Sequence, residues 1–270
     1  MFLDDAVEAA MREARERMEF FPVALLERIV LDTPTPPDFK GAVTSRGDGV
    51  RIIAEIKRSS PSRGAIREDV SVASTVSAYL RGGASAVSVL TCAYRFGGSM
   101  GDLARATSAA RVPVLRKDFI TEPYQVLEAR ARGASAVLLI AAALDAERIR
   151  ELTEYAAGLG MECLVEVHGA GDVGKALEGG AEIIGINNRD LRTLEVDLGT
   201  TGRVMPHIPP GTVVVSESGV TGREQVKRLE DMGVDAVLIG EALMRAEDPV
   251  MKIRELLGEV DERCGSRSVE

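Results

Sequence analysis

The chain has 270 residues, of which 45% are hydrophobic and 28% are charged, and its formal net charge is -9. That length predicts one large domain or two small ones, with an ample hydrophobic core. The acidic balance argues against broad binding to nucleic acid or to anionic membranes, so an anionic small ligand would have to be held by local positive groups.

Cysteine and histidine are both scarce. Cys92, Cys163 and Cys264 lack the spacing of a metal site, and the two histidines, His168 and His207, cannot build a histidine-rich one. The sequence shows neither a leader peptide nor a long apolar run. These features predict a protein of the reducing cytosol, with no metal and no membrane or nucleic-acid partner.

The first 48 residues are predicted to form a helical extension. Residues 4–30 are rich in Ala, Glu, Arg and Met, with apolar residues at helical spacing, which predicts one or two amphipathic helices. Residues 31–48 contain Pro34, Pro36 and Pro37 and are predicted to be an extended connector. We expect this segment to cap one end of the following domain, with a partner-binding helix as the alternative.

From residue 49 onward, short strands alternate with helical segments. An internal repeat marks the pattern: Gly-Ala-Ser-Ala-Val occurs at 83–87 and 133–137, and looser copies follow at 180–184 and 233–237. The copies lie about fifty residues apart, roughly two βα units, and in each the glycine ends a helix just before a strand. Helix starts are predicted at Thr121, Asp145 and Asp248. The predicted strands are 50–57, 85–90, 112–117, 135–140, 162–167, 182–187, 212–217 and 235–240.

Eight strand–helix units in residues 49–262 predict an α/β fold, a (β/α)8 TIM barrel. A doubly wound sheet is the alternative, but no GxGxxG sequence follows the first strand. Residues 263–270 are expected to be a disordered tail. Because chemistry in such barrels sits at the C-terminal ends of the strands, those positions are the ones to inspect for a site.

The first strand ends with two charges on one face. Glu55 and Lys57 are two residues apart, so they share a side of the strand, where unpaired charge is costly. A structural ion pair would explain them equally well. The segment that follows, with Ser59, Ser60, Pro61, Ser62 and Gly64, offers hydroxyls and backbone N–H groups of the kind that hold an anion.

The third and fifth strands also end with charged side chains. Alternation places Lys117 on the face of Leu115, and Arg116 on the other. The chain has only six lysines, and two of them fall at strand ends. Lys117 could instead be a rim residue paired with Asp118. In the fifth strand Glu166 interrupts an apolar run, which predicts either an acid–base group or a structural ion-pair partner. His168, two residues later, is expected to be a hydrogen-bonded structural residue.

The last three strand ends carry polar and glycine-rich segments: Asn187 and Arg189 after the sixth, Glu217, Ser218 and Gly219 after the seventh, and Leu238, Gly240 and Glu241 after the eighth. A short helix beginning at Glu241 would complete the usual phosphate site of this fold. Cations, carboxylates and a phosphate cradle at one barrel mouth predict acid–base chemistry on a phosphorylated, anionic small molecule. A lysine beside a second cation, or partly desolvated, would have a lowered pKa and could act near neutrality.

Six segments, in order, resemble the indole-3-glycerol phosphate synthase family across the whole predicted barrel. They are 53–64 (IAEIKRSSPSRG), 115–120 (LRKDFI), 165–168 (VEVH), 185–191 (GINNRDL), 216–220 (SESGV) and 238–244 (LIGEALM). The N-terminal helical extension is a further feature of that family. The resemblance implies ring closure of 1-(2-carboxyphenylamino)-1-deoxyribulose 5-phosphate with loss of CO₂ and water, a step of tryptophan biosynthesis that needs no cofactor.

The resemblance also implies roles for individual residues. Lys117 would protonate the substrate carbonyl, Lys57, held by Glu55, would bind the substrate carboxylate and could protonate the leaving hydroxyl, and Glu166 would serve dehydration. The sequence leaves open which lysine acts in which step. Substrate groups would be oriented by Asn187, Glu217 and Arg189, and the phosphate held by Ser60, Ser218, Gly219, Leu238, Gly240 and the N–H of Glu241.

One segment departs from the family pattern. After the second strand, Thr91 is followed by Cys92 where the family usually has an acidic residue, and Arg95 follows shortly after. Phe96 could still pack against the aromatic ring of the substrate, and no step of the reaction needs Cys92 as a nucleophile. A sister barrel such as phosphoribosylanthranilate isomerase and a non-catalytic phosphosugar-binding barrel are the alternatives. We expect a monomer or a weak homo-oligomer.

Overall fold

Eight parallel strands form a closed barrel in the computed structural model, which describes residues 2–47, 49–60, 64–67 and 69–259. Each strand pairs with the next along the chain, and the eighth pairs with the first. The predicted TIM barrel is therefore confirmed, whereas the predicted disordered tail lies outside the described residues. The strands are β1 Arg51–Ile56, β2 Ala86–Leu90, β3 Val114–Lys117, β4 Ala136–Ile140, β5 Glu162–Val167, β6 Ile183–Asn187, β7 Val213–Glu217 and β8 Ala236–Ile239.

Helices surround the barrel and extend it at both ends. A 3-10 turn, Met205–His207, follows the ninth helix, and Ser59–Ser60 pairs with Gly64–Ala65 in a two-residue antiparallel ladder. The helices are α1 Phe2–Phe20, α2 Val23–Asp32, α3 Phe39–Val43, α4 Val72–Gly82, α5 Met100–Ala109, α6 Pro123–Ala131, α7 Ala146–Gly158, α8 Ala170–Glu178, α9 Gly199–Val204, α10 Arg223–Asp231, α11 Glu241–Arg245 and α12 Pro249–Leu257. None of the helices in the described part of the chain is long and apolar enough to span a bilayer.

Strand alternation divides the core into two parts. Outward residues such as Ile52, Val87 and Val137 pack against the helices, while inward residues such as Ile53 and Leu115 fill the barrel interior. Further along the same inward faces, toward the C-terminal ends, the side chains become charged. The interior is therefore a packed apolar base beneath a polar mouth.

The helix ends predicted at the repeat glycines are confirmed, and so are two of the three predicted helix starts. Each repeat glycine has a positive φ between +81° and +100°, which only glycine adopts at little cost. Asp145 and Asp248 cap α7 and α12 by accepting backbone N–H groups. The helix predicted from Thr121 has Glu122 at its cap instead, because the Gln125 side chain accepts the N–H groups of both residues.

The predicted extended connector is partly wrong, because it contains the short helix α3. Asp38 caps this helix through the Gly41 N–H, and the Glu162 carboxylate accepts hydrogen bonds from the N–H groups of Phe39 and Lys40 at 2.7 and 2.8 Å. Phe39 is fully buried and joins the core of the barrel interior. Since Glu162 begins β5, α3 closes the N-terminal end of the barrel.

Helix α1 is tied to the barrel by a buried carboxylate. The Arg17 guanidinium donates to Glu128 of α6 at 2.6 and 3.1 Å, and Glu128 is fully buried. Glu128 also accepts from Arg116 at 3.2 Å. The network therefore connects the N-terminal extension to the strand that carries Lys117.

Arg17→Ala is expected to lower the free energy of unfolding by about 1–3 kcal/mol, because a buried carboxylate loses a charged donor. Urea denaturation with a linear extrapolation measures it. Arg15→Ala, at an exposed position of the same helix, is the matched control. Equal unfolding midpoints for the two variants would mean that Arg17 contributes nothing to stability.

Candidate active site

A cavity of about 740 Å³ opens at the C-terminal ends of the strands, a size typical of small-ligand sites. The catalytic and binding residues that the family resemblance implies all line it. They are Glu55, Lys57, Ser60, Phe96, Lys117, Glu166, Asn187, Arg189, Glu217, Ser218, Gly219, Leu238, Gly240 and Glu241. Ser59 and Gly64 of the predicted anion-binding segment, in contrast, are not among its lining residues. Pro61 and Ser62, predicted to belong to the anion-binding segment, lie outside the described residues.

Glu55 and Lys57 form an ion pair at the end of β1. The Glu55 carboxylate is almost fully buried and lies 2.9 Å from the Lys57 ammonium, whose side chain is 16% exposed. Lys57 can therefore reach the cavity while Glu55 holds it from below. A cation fixed in this way is suited to bind a carboxylate or a developing negative charge.

Lys117 lies between two carboxylates from strands on the far side of the barrel. Its Nζ is 2.9 Å from Glu217 and 3.3 Å from Glu166. Burial lowers the pKa of Lys117, but the charges of Glu217, Glu166 and Glu55 outweigh burial and raise that pKa above its ordinary value. The expectation of a lysine pKa lowered by a second cation is thus wrong for Lys117, which carries its proton in the free site.

The neighbours of Lys117 in the chain, Arg116 and Asp118, form an ion pair with each other, so the predicted alternative of a Lys117–Asp118 pair is wrong. Asp118 pairs with Arg116 at 2.9 Å rather than with Lys117. Arg116 points outward and is fully buried under α6, where it also donates to Gln125 O at 2.6 Å and to Thr91 Oγ1 at 3.1 Å. This network fixes the strand end and leaves the Lys117 ammonium to the cavity.

Glu166 is buried and remains ionised. Burial raises its pKa, but Lys117, His168 and a hydrogen bond from Asn187 together lower the pKa below its ordinary value. His168 Nε2 lies 3.4 Å from Glu166 Oε1, and neither ring nitrogen makes a hydrogen bond with the residues that the structure describes. The expected hydrogen bond of the His168 ring is therefore wrong, and the ring lies beside the Glu166 carboxylate instead.

Glu217 differs from Glu166 because it holds its proton more tightly. Burial raises the pKa of Glu217, Lys117 lowers it and the Glu166 charge raises it again, to about 7. Its Oε1 atom is buried and has no hydrogen-bond partner among the described residues. Of the two carboxylates that contact Lys117, Glu217 is the one that can be neutral near physiological pH.

Glu217→Gln is expected to flatten the pH dependence of stability. Folded Glu217 keeps a proton that the unfolded chain releases near pH 4.5, so the free energy of unfolding falls as pH rises from that value toward about 7. Glutamine cannot titrate, so the variant's free energy of unfolding should fall less over this window. Urea unfolding of both proteins at several pH values measures the difference, and parallel curves would contradict the prediction.

The opposite end of the cavity is lined by backbone from the last two strand ends. Ser218 and Gly219 have φ values of +68° and +91°, and Gly240 precedes the short helix α11. The Ser60 hydroxyl is buried and has no partner among the described residues. Two cations that the sequence analysis missed, Arg245 and Lys252, also line this end. They lie on helices rather than at strand ends, so no strand-end signal marks them.

An apolar wall forms the remaining side of the cavity. Phe96 packs against Phe2 of α1 and Phe119 with ring centroids 6.3 and 6.2 Å away. Leu138 and Ile140 of β4 continue the wall. Phe2 was missed by the sequence analysis because it lies more than ninety residues from Phe96 in the chain and the fold alone brings it to the mouth. The wall is suited to a planar aromatic ring.

Cys92 lies outside the cavity lining. It is fully buried, its Sγ contacts Tyr94 O at 3.6 Å, and burial raises the pKa of the thiol well above its ordinary value. A protonated, enclosed thiol is a poor nucleophile or base. Within the described ranges, no group of three His, Cys, Asp or Glu side chains is placed to hold a metal ion.

Comparison with known proteins gives a consistent match along the chain. The family profile described as indole-3-glycerol phosphate synthase covers residues 3–256. An indole-3-glycerol phosphate synthase of Dehalococcoides mccartyi (strain CBDB1) is 48% identical over 95% of this chain and 100% of its own length. One from Parafrankia sp. (strain EAN1pec) is 45% identical over 94% of each chain.

Among solved structures, similarity is confined to the fold. A chain of the tryptophan synthase a2b2 complex of Pyrococcus furiosus aligns with a TM-score of 0.57 and 16% identity over 80% of this chain and 99% of its own. Thiamine phosphate pyrophosphorylase of the same organism aligns with a TM-score of 0.57 and 17% identity, over 76% of this chain and 93% of its own.

Proposed function

The chain belongs to the indole-3-glycerol phosphate synthase family, and from this premise we propose how its residues divide the work of that reaction. The enzyme is a carboxy-lyase of tryptophan biosynthesis. Its substrate is 1-(2-carboxyphenylamino)-1-deoxyribulose 5-phosphate. One end of this molecule is an aromatic ring that bears a carboxylate, and the other end is a phosphate. One observation carries the proposal: a protonated lysine, Lys117, lies within 3.3 Å of both Glu166 and Glu217 at the barrel mouth.

Lys117 is the general acid of ring closure. When the aromatic carbon that bears the carboxylate attacks the ketone carbon, negative charge develops on the ketone oxygen. The three surrounding carboxylates keep Lys117 protonated in the free enzyme, so a proton is available at Nζ. Proton transfer to the developing alkoxide from a positioned acid contributes about 10²–10⁴-fold in rate.

Lys57 binds the substrate carboxylate until CO₂ leaves. Its ion pair with Glu55 fixes the ammonium at the cavity wall, and a cation there offsets the cost of burying the substrate's charge. After decarboxylation restores the aromatic ring, the same ammonium is free to donate a proton to the departing hydroxyl.

Glu166 serves the dehydration step. Lys117 and the other groups around it keep the pKa of Glu166 low, so it is ionised and can accept the proton lost as the indole forms, or stabilise the cationic intermediate. Asn187, Arg189 and Glu217 orient the anilino and hydroxyl groups from the neighbouring strand ends.

The phosphate is held where the last two strands end. Ser60, Ser218, Gly219 and the backbone around Gly240 and Glu241 line that part of the cavity. The Ser60 hydroxyl, which has no partner among the described residues, can donate to a phosphate oxygen. Leu238 and Phe96 line the same cavity, and Phe96 is proposed to pack against the substrate ring.

Neither alternative activity is favoured by the site. An Amadori isomerase would be expected to use a Cys/Asp pair, but Cys92 is enclosed and Asp118 is paired with Arg116. A barrel that only binds phosphosugars would not need Lys117 or Glu166 in the cavity. We further infer from the sparse cysteines that the protein is cytosolic. A monomer or weak homo-oligomer stays the expectation for its assembly.

Steady-state turnover of the purified protein with the carboxyphenylamino-deoxyribulose phosphate, followed by indole fluorescence in the presence of EDTA, tests the proposal. Turnover in EDTA is the expected result, since the proposed steps use only side chains. Folded protein that binds the substrate without forming indole would contradict it and favour a binding role or a sister activity. Loss of turnover with EDTA alone would contradict the metal-free division of labour.

A further inference from the structure

Two glycines lie beside the carboxylates that hold the site lysines. Gly185 is in the middle of β6, next to β7, where Asn187 pairs in register with Glu217. Gly240 follows β8, next to β1, where Ala54 pairs in register with Ile239, so that Gly240 lies beside Glu55. Each glycine is therefore on the strand adjacent to a glutamate that contacts a lysine of the site.

The backbone requires glycine at neither position. Gly185 is absent from the residues with positive φ, and Gly240 has a φ of −116°, so neither has the left-handed backbone that favours glycine. A glycine in a strand interior weakens the strand and marks a place where another group approaches closely. The reason for these glycines must therefore be space.

That space is occupied by carboxylates. A methyl group at position 185 would overlap Glu217 Oε1 and lie 3.3 Å from Glu217 Cδ. A methyl group at position 240 would overlap Glu55 Oε1 and lie 3.1 Å from Glu55 Cδ. Both glutamates thus lean into the volume that a side chain on the neighbouring strand would fill.

Packing rather than hydrogen bonding fixes this side of Glu217. Its Oε2 contacts Lys117 at 2.9 Å, whereas Oε1, which lies against Gly185, has no partner among the described residues. An added methyl group at position 185 would meet the Glu217 carboxylate directly. The carboxylate would have to move away from β6 and hence change its contact with Lys117.

The geometry points to Gly185 and Gly240 as positioning residues that give Glu217 and Glu55 the room to hold Lys117 and Lys57 in place. The consequence for turnover rests on the proposed roles of these side chains. The consequence for stability does not, because it follows from the overlap alone. Stability and turnover can therefore be tested separately.

A stability cycle with G185A, E217A and the double variant G185A/E217A tests the space itself. The methyl group of G185A should lower the melting temperature of the parental protein. In the E217A background the same methyl group should cost little, since the carboxylate is gone and only the contact with Leu164 Cδ1 at 3.3 Å remains. An equal loss in both backgrounds overturns the proposal, and the double variant remains informative even if G185A alone does not fold.

A turnover cycle with E217D tests positioning. Aspartate is shorter by one carbon–carbon bond, about 1.5 Å, so it withdraws the carboxylate from β6. We expect G185A to lower kcat by about 10²-fold, the scale of a 1 Å misplacement, and E217D to cost less in the G185A background than in the parental protein. If E217D lowers kcat by the same factor in the G185A background as in the parental protein, the proposal is overturned. A G185A variant with parental kcat and KM also overturns it. Parental turnover of E217A would instead refute the role of Glu217 and leave the stability cycle to judge the space.

Gly174→Ala provides the matched control. Gly174 lies on α8, where a methyl group would meet nothing within 4 Å, so kcat and KM should be unchanged. Gly240 is tested by the stability cycle only, with G240A, E55A and the double variant, because its N–H group is also proposed to lie near the phosphate. In the E55A background only the contact with the β-carbon of residue 55, at 3.2 Å, remains, so the loss of melting temperature should be smaller there. An equal loss in the parental and E55A backgrounds overturns the assignment for Gly240.

Discussion

Lys117→Ala is expected to lower kcat by about 10²–10⁴-fold, the usual cost of losing a general acid. The substrate should still bind, because its carboxylate and phosphate meet other parts of the cavity. In a single turnover, CO₂ release and indole formation should slow together, since ring closure precedes both. Following CO₂ and indole fluorescence in the same reaction measures this.

Removal of the ammonium leaves Glu166 and Glu217 without the cation between them, so the fold must be checked independently. Two neighbouring carboxylates without a cation share a proton rather than ionise together, which limits the damage. Circular dichroism and the melting temperature report on the fold. Lys227→Ala is the matched control, because Lys227 is exposed on α10 and pairs only with Glu230 and Asp231 in the described structure. A folded Lys117→Ala variant with turnover near that of the control would refute the assignment.

The charged strand ends were predictable because strand geometry is local. Period-two alternation places Lys117 on the same face as Leu115, and Glu55 on the same face as Lys57, whatever the rest of the chain does. The repeat of glycines at helix ends gives the spacing of the βα units for the same reason. Sequence alone therefore predicts which strand-end side chains reach the barrel mouth, but not Phe2, Arg245 or Lys252, which helices bring there.

Contacts across the barrel were not predictable in the same way. The expectation of a lowered lysine pKa invoked a second cation or partial desolvation, whereas carboxylates surround Lys117 in the structure. The groups that control Lys117 are Glu166 and Glu217, which are 49 and 100 residues away in the chain. Barrel closure and strand register set those distances, and neither is visible in a local pattern.

The missed helix α3 has the same physical origin. Five residues after a proline-rich stretch carry little helical signal of their own. Glu162, more than 120 residues later, accepts two of the N–H groups at the start of α3. A tertiary contact thus stabilises an element that local propensity does not predict.

Glu166→Gln is expected to slow dehydration while leaving ring closure and decarboxylation intact. Glutamine keeps the size of the side chain but cannot accept a proton as a carboxylate does, so kcat should fall by about 10²–10⁴-fold. Lys117 retains Glu217 at 2.9 Å and hence its protonated state, so ring closure and decarboxylation should proceed. CO₂ should therefore appear before indole in a single turnover, in contrast to Lys117→Ala.

Order of product release decides the role of Glu166. Glu154→Gln, at an exposed position of α7, is the control for the substitution itself and should release CO₂ and indole together at the parental rate. If CO₂ and indole slowed equally in Glu166→Gln, the carboxylate would act before decarboxylation, by orienting Lys117 rather than by serving dehydration. A burst of CO₂ followed by slow indole formation would mean that Glu166 acts after the ring has closed, by accepting a proton or by stabilising the cationic intermediate. By that stage Lys117 has already given its proton to the substrate, so the effect could not come from a change in the protonation of Lys117.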